Sequence, residues 1–173
     1  IIPALAFLGI SLGGLWHLLT PVTVFILLPL FDELLGDTKF EMPDAPLSTI
    51  WTGRALTILF VPIQLGLITY AVWLSGRANW SIAEWIGAAL SVGLVTGGLG
   101  ITIAHELVHR TESWLRSLGG ILLSSVWYSH FLVEHVHGHH TWVATLKDPS
   151  SARFNESIYR FYPRTLIGTF KSA

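Results

Sequence analysis

Two long stretches without a single charged side chain decide what this chain can fold into. Residues Ala55 to Leu74 and Trp85 to Ala104 each run for 20 residues with no Asp, Glu, Lys or Arg. At about 1.5 Å of rise per residue, such a run in helical form covers the roughly 30 Å hydrocarbon core of a bilayer. Only a structure that satisfies its own backbone groups survives there, and a helix does so. Ile1 to Phe31 is also free of charge, too long for one span and too short for two complete ones. Charged residues make up 12% of the chain, about half their share in an ordinary soluble domain. The expected fold class is all-α, a polytopic membrane helical bundle.

Composition also excludes several chemistries. The sequence has no cysteine, so disulfides, iron–sulfur clusters and thiolate metal sites are ruled out within it. A formal net charge of −1 offers nothing to a nucleic-acid partner. The chain opens inside an apolar run without Met, ends without a closing feature, and shows no signal-peptide pattern. It is expected to be an internal fragment, one transmembrane domain over residues 1–173 truncated at both ends.

Along the chain, the first apolar block is expected to hold the remainder of one helix, a turn near Thr20-Pro21, and a second helix to about Leu35. Pro21 suits a helix start, where its missing N–H has no partner to lose. Asp32 to Pro46 is expected as an acidic, Pro-containing loop, followed by a third helix over Arg54 to Leu74. Trp80 in the next short turn suits an interfacial anchor. A fourth helix is expected over Ser81 to Arg110. Ser117 to Val133 is uncharged, but it cannot cross the membrane if His109 and His135 share a site, because a straight helix would set them ~39 Å apart. It should fold back, with Gly119-Gly120 or Ser124-Ser125 at the bend. Seven of the ten Lys/Arg follow Ala104, which places that side in the cytoplasm.

Seven of the eight histidines lie between His105 and His140. Imidazole is the commonest side-chain metal ligand. His105 and His109 are spaced i, i+4 on one helix face, as are His135 and His139, and such pairs can chelate a metal. His140 lies about 100° further round a helix than His139 and could reach a second ion. Five imidazoles exceed one closed tetrahedral site, so two metals is the simplest explanation, with iron, copper or zinc all compatible. Gly138 leaves room for close approach. Glu106 and Glu134 each neighbour a ligand; either they orient imidazoles or they are solvated charges. Asp148, in Asp148-Pro149-Ser150, is first a turn residue and could also hold a ligand histidine. His137 faces away from the His135/His139 stripe, His130 suits a structural role, and His17 a packed or interfacial one.

His105-Glu106-Leu107-Val108-His109-Arg110 resembles the first histidine box of the membrane-bound alkane monooxygenases. Glu134-His135-Val136-His137-Gly138-His139-His140 resembles their second box, and Val143 to Arg153 the segment after it. Xylene side-chain monooxygenases carry similar boxes, and fatty-acid desaturases and hydroxylases are more distant relatives. The resemblance implies a six-helix membrane protein of the bacterial inner membrane with a cytoplasmic-facing di-iron site. His105, His109, His135, His139 and His140 match the family's ligand positions; a third histidine box of the family has no counterpart here. The implied cofactors are two non-heme irons. The implied reaction is O2-dependent hydroxylation of a terminal methyl of an apolar, lipid-partitioned alkane, with electrons from rubredoxin and its reductase. Trp16, Phe25, Leu28, Leu94 and Ile101 are of the kind that could line a substrate channel, or simply face lipid. Aryl-methyl or fatty-acyl oxidation is the alternative. A zinc protease using Glu106 as base and a metal transporter are the readings outside oxygenase chemistry.

Overall fold

The computed structural model describes residues 1–36 and 47–173. Every regular element among them is helical. Three helices are long and apolar enough to cross a membrane: Gly14–Leu35, Trp51–Ser75 and Ile82–Val108. The expected loop over Asp32 to Pro46 falls mostly on 37–46, outside the described residues. Its first residues are helical, because α3 runs from Leu28 to Leu35.

The chain forms two compact units, Ile1–Leu122 and Leu123–Ala173. In the first, α1 (Ile2–Leu12) stops at Gly13. Gly13 and Gly14 take φ of 72° and 58°, a region that side chains with a Cβ enter only at a cost. The break therefore sits at this glycine pair rather than at Thr20-Pro21. Pro21 lies inside the next helix, in the short segment α2 (Leu19–Val22), rather than at its start. From Gly14 the chain continues through a 3-10 turn, α2, a π-helical stretch over Thr23–Leu27, and α3. The opening apolar block is thus one short helix plus one span.

The second span belongs to α4 (Leu47–Ser75). The third starts at α5 (Ile82–Gly93), where Ser81 and Glu84 form a capping box that satisfies two N-terminal amides reciprocally. Glu84 also accepts the Gly14 amide (3.0 Å), and its carbonyl meets His17 Nδ1 (2.7 Å). His17 is buried against the Trp80 ring, as expected of a packed polar group. The span continues through a π-helical stretch, Leu94–Gly100, into α6 (Ile101–Val108).

Packing inside this unit relies on small residues and a few buried polar ones, as helices in lipid must. Gln64 is fully buried in the second span, and a Cβ on Gly100 would collide with its amide. In α7 (Ser113–Ser125), a Cβ on Gly119 would lie 2.9 Å from Val108 Cγ1 and 3.0 Å from the Ala104 carbonyl. Arg54, near the start of the second span, bonds Glu112 just after the third at 2.5 Å, so those two ends lie on one side of the membrane. Leu56, Leu59, Trp73, Ile86 and Leu90 face outward, where lipid would cover them.

In the second unit α7 ends at Ser125 and Trp127 takes φ 58°. The helix thus runs straight through Gly119-Gly120, and the expected bend follows Ser124-Ser125. α8 (His130–Val133), a π-helical stretch over Glu134–His139 and α9 (His140–Trp142) form one helical run. An irregular segment then leads to α10 (Ile158–Ser172).

Candidate metal centre

His105 and His109 stand on the last turns of α6 and its cap. The i, i+4 spacing works as the sequence predicts. The two Nε2 atoms are 3.3 Å apart, with the rings edge to face. Glu106 projects elsewhere: it is exposed and paired with Arg110 at 2.5 Å, one turn on. Of its two expected roles it therefore plays the solvated one.

The second box follows a different rule. Its backbone over Glu134–His139 is π-helical, with i→i+5 hydrogen bonds and more residues per turn than an α-helix. The residue stacked over His135 is accordingly His140, five positions on. Their Nε2 atoms are 3.1 Å apart, whereas the spacing expected for an α-helix pairs His135 with His139. The His135 and His139 rings instead stack with centroids 5.4 Å apart. Phe131, one turn before His135, stacks on the His135 ring with centroids 4.6 Å apart.

His139 is held by a carboxylate. Its Nδ1 lies 2.9 Å from Asp148 Oδ2. Asp148 is 2% exposed and also accepts the Ser150 amide at 2.8 Å and the Ser151 hydroxyl at 2.5 Å. Both expected roles of Asp148 are thus filled: it makes an Asx turn, and it holds a histidine. Burial pushes its carboxyl up, but the bonds from Ser151, Ser150 and His139 outweigh burial and hold it below the usual carboxylate range. An ionised Asp148 favours the His139 tautomer with its proton on Nδ1, which turns the lone pair of Nε2 outward from this contact.

Glu134 is 1% exposed. Its carboxylate lies over Gly138, where a Cβ would stand 2.8 Å from Oε1. The room that Gly138 leaves is thus taken by Glu134. Burial, with the neighbouring Asp148 charge, pushes the Glu134 carboxyl above its usual range. His137 is exposed. His130 packs edge-on to Tyr128 and Phe170, in keeping with a structural role. Trp16, Phe25 and Leu28 are exposed and Leu94 and Ile101 half-buried; Trp16 lines an open apolar groove of about 420 Å³ with Leu15, Leu18, Leu19 and Val22.

The donor set fits a metal. Imidazole–metal bonds of about 2.0–2.1 Å place neighbouring ligand nitrogens ~2.8–3.4 Å apart across octahedral and tetrahedral geometries. The separations of 3.3 and 3.1 Å in the two pairs fall in that range. Sequence reasoning missed Ser151 and Arg164 as supports of this site. The Asp-Pro-Ser-Ser run carries a turn signal that points to the serine; Arg164, on another helix, has no local signal.

Comparison with known proteins agrees with this chemistry. Residues 80–173 match the fatty acid desaturase family model. The chain is similar to alkane 1-monooxygenase 2 of Pseudomonas aeruginosa, 35% identical over 173 residues that cover 96% of this chain and 45% of the relative. Alkane 1-monooxygenase 1 of Alcanivorax borkumensis is 34% identical over 179 residues, covering 99% and 44%. The hydroxylase component of xylene/toluene monooxygenase of Pseudomonas putida is 25% identical over 178 residues, covering 100% and 46%. The chain spans a little under half the length of these relatives.

Proposed function

Since the chain belongs to the fatty acid desaturase family, we propose that it carries the first five histidine ligands of a di-iron alkane 1-monooxygenase. His105, His109, His135, His139 and His140 would hold the metals. The observation that carries this reading is the pair of facing Nε2 contacts, His105 with His109 and His135 with His140. Each is spaced as neighbouring ligands on a metal are. The higher identity to alkane 1-monooxygenases than to the xylene enzyme supports an alkane over an aryl methyl as substrate.

The proposed reaction turns a terminal methyl into a primary alcohol. One oxygen atom of O2 enters the alcohol, and the other leaves as water with two electrons and two protons. Bound iron would supply the dioxygen activation. Reduced rubredoxin, itself reduced by its reductase, is the proposed electron donor. The protein's share is to fix the ligand nitrogens, hold their protons and keep water from the reacting carbon. Asp148 does the second of these by retaining the Nδ1 proton of His139. The long apolar helices give a lipid-borne substrate direct access. The basic residues after Ala104 support an inner-membrane protein whose metal site faces the cytoplasm.

Two observations weigh against a zinc protease. Glu106 is engaged by Arg110 rather than aimed at a metal-bound water. A protease also has no use for His135, His139 and His140 beside the first pair. The test is an aerobic assay of the full-length protein with rubredoxin and its reductase, on octane, xylene and a fatty-acyl substrate. Octanol as the main product supports the proposal. Turnover of xylene or the acyl chain alone rejects the substrate, and peptide cleavage abolished by Glu106→Gln rejects the class.

A further inference from the structure

Arg164 lies on α10, far in sequence from both histidine boxes, yet it is the most heavily used side chain of the second unit. Its guanidinium makes four hydrogen bonds. Nη1 donates to the Pro149 carbonyl at 2.9 Å, and Nη2 to the Ser151 carbonyl at 2.9 Å. Nε and Nη2 each donate to a different oxygen of Glu156 at 2.6 Å. One turn on, Gly168 lets α10 close on Pro149, since a Cβ there would lie 2.5 Å from Pro149 Cβ.

Both carbonyls that Arg164 grips belong to the turn that carries Asp148. They lie one and three residues beyond it. Ser151 joins the two levels: its backbone carbonyl is held by Arg164, while its hydroxyl donates to Asp148 and accepts the amide of Ala144 at 2.9 Å. The segment is costly to hold in place. Ala144 takes φ of 64°, a value that a residue with a Cβ and no polar side chain adopts only when its surroundings enforce it.

We infer that Arg164 is a positioning residue for the metal centre: through the Pro149 and Ser151 carbonyls it locks the turn that aims the Asp148 carboxylate at His139. The inference rests on the metal reading above. Only a planar fork with five N–H groups reaches two carbonyls and a carboxylate together; a lysine ammonium offers three donors at a single point. The Glu156 pair fixes the guanidinium and adds stability, while the two carbonyl bonds carry the effect on His139. Those two contributions separate by mutation.

The test titrates ferrous ion anaerobically into the apo form of the full-length protein in lipid nanodiscs, and follows melting of the apo form in parallel. Arg164→Ala and Arg164→Lys are expected to weaken binding of one iron about tenfold and leave the other unchanged, the low end of what loss of a ligand's support does. Glu156→Gln keeps both carbonyl bonds. It is expected to lower the apo melting temperature yet leave both iron affinities within about twofold of wild type. Unchanged iron binding in Arg164→Ala overturns the inference. So does a loss of iron in Glu156→Gln that matches that of Arg164→Ala, because the role would then be plain stability. A wild-type protein that binds no iron overturns the metal reading itself, before any variant is compared.

Discussion

The two histidine groups are built in opposite ways. His105 and His109 need only a helix: α-helical spacing sets their Nε2 atoms 3.3 Å apart, and the acid between them in sequence, Glu106, is exposed and tied to Arg110. His135, His139 and His140 need tertiary structure. A π-helical turn brings His140 over His135, a buried carboxylate holds His139, and α10 braces the turn that carries that carboxylate. The comparison teaches that a facing histidine pair can be encoded within one turn of chain, whereas a histidine with a chosen nitrogen requires partners from elsewhere.

The largest test of that contrast pits Asp148→Asn against Glu106→Gln. Asp148→Asn turns an ionised acceptor into a neutral amide and frees the tautomer of His139. Iron affinity of the full-length protein should fall 10–100-fold for one ion. Glu106→Gln should shift it by about twofold or less, since the pair it breaks is exposed. Equal losses would erase the distinction between the two groups.

A second test asks how tightly each framework is packed. Gly119→Ala drives a Cβ into Ala104, Leu107 and Val108, which lie on the helix that carries His105. It should cost ~1–3 kcal/mol in unfolding measurements. Gly98→Ala, on the same span, meets nothing within 4 Å and should be neutral or stabilising by up to ~1 kcal/mol. A neutral Gly119→Ala would show that the close approach of α7 and α6 is dispensable.

A smaller effect appears with pH. Hydrogen bonds from Arg164 hold the Glu156 carboxyl at about 2, below its unfolded value of ~4.3. A depressed folded value means the pair's stabilisation is complete above the unfolded value and is lost as pH falls through the window toward 2. Melting temperature should therefore drop between these limits, and Glu156→Gln should flatten that part of the curve. An unaltered acid limb in the variant would remove Glu156 from the account. The smallest expected effect is Glu106→Gln on melting at neutral pH, about 0.5 kcal/mol or less.

The spans and the clustered histidines were legible because their signals are local. Ala55 to Leu74 and Trp85 to Ala104 declare themselves by what they lack, and the histidine boxes by spacing within one turn. Asp148 was legible in both its roles, because Asp-Pro-Ser is a turn signal next to a histidine box. The rest depends on geometry that spacing does not encode. A π-helical turn changes which residues stack without leaving a mark in a 3.6-residue period, so His140 displaced His139 as the partner of His135. The break at Gly13-Gly14 was hidden behind Pro21, because proline and glycine both signal interruption and only the glycines adopt positive φ. Arg164 acts across 13 and 15 residues of chain on two backbone carbonyls, and backbone acceptors carry no sequence identity at all.

The account's central claim is that five imidazoles of this chain help hold a pair of irons. X-ray absorption at the iron edge of the full-length protein, with metal analysis on the same sample, tests it most directly. The expected result is about two irons per chain, essentially no zinc, and an inner shell dominated by imidazole nitrogen that weakens when His135 or His140 is replaced by Ala. A single stoichiometric zinc, or an iron shell unchanged by those substitutions, would contradict it.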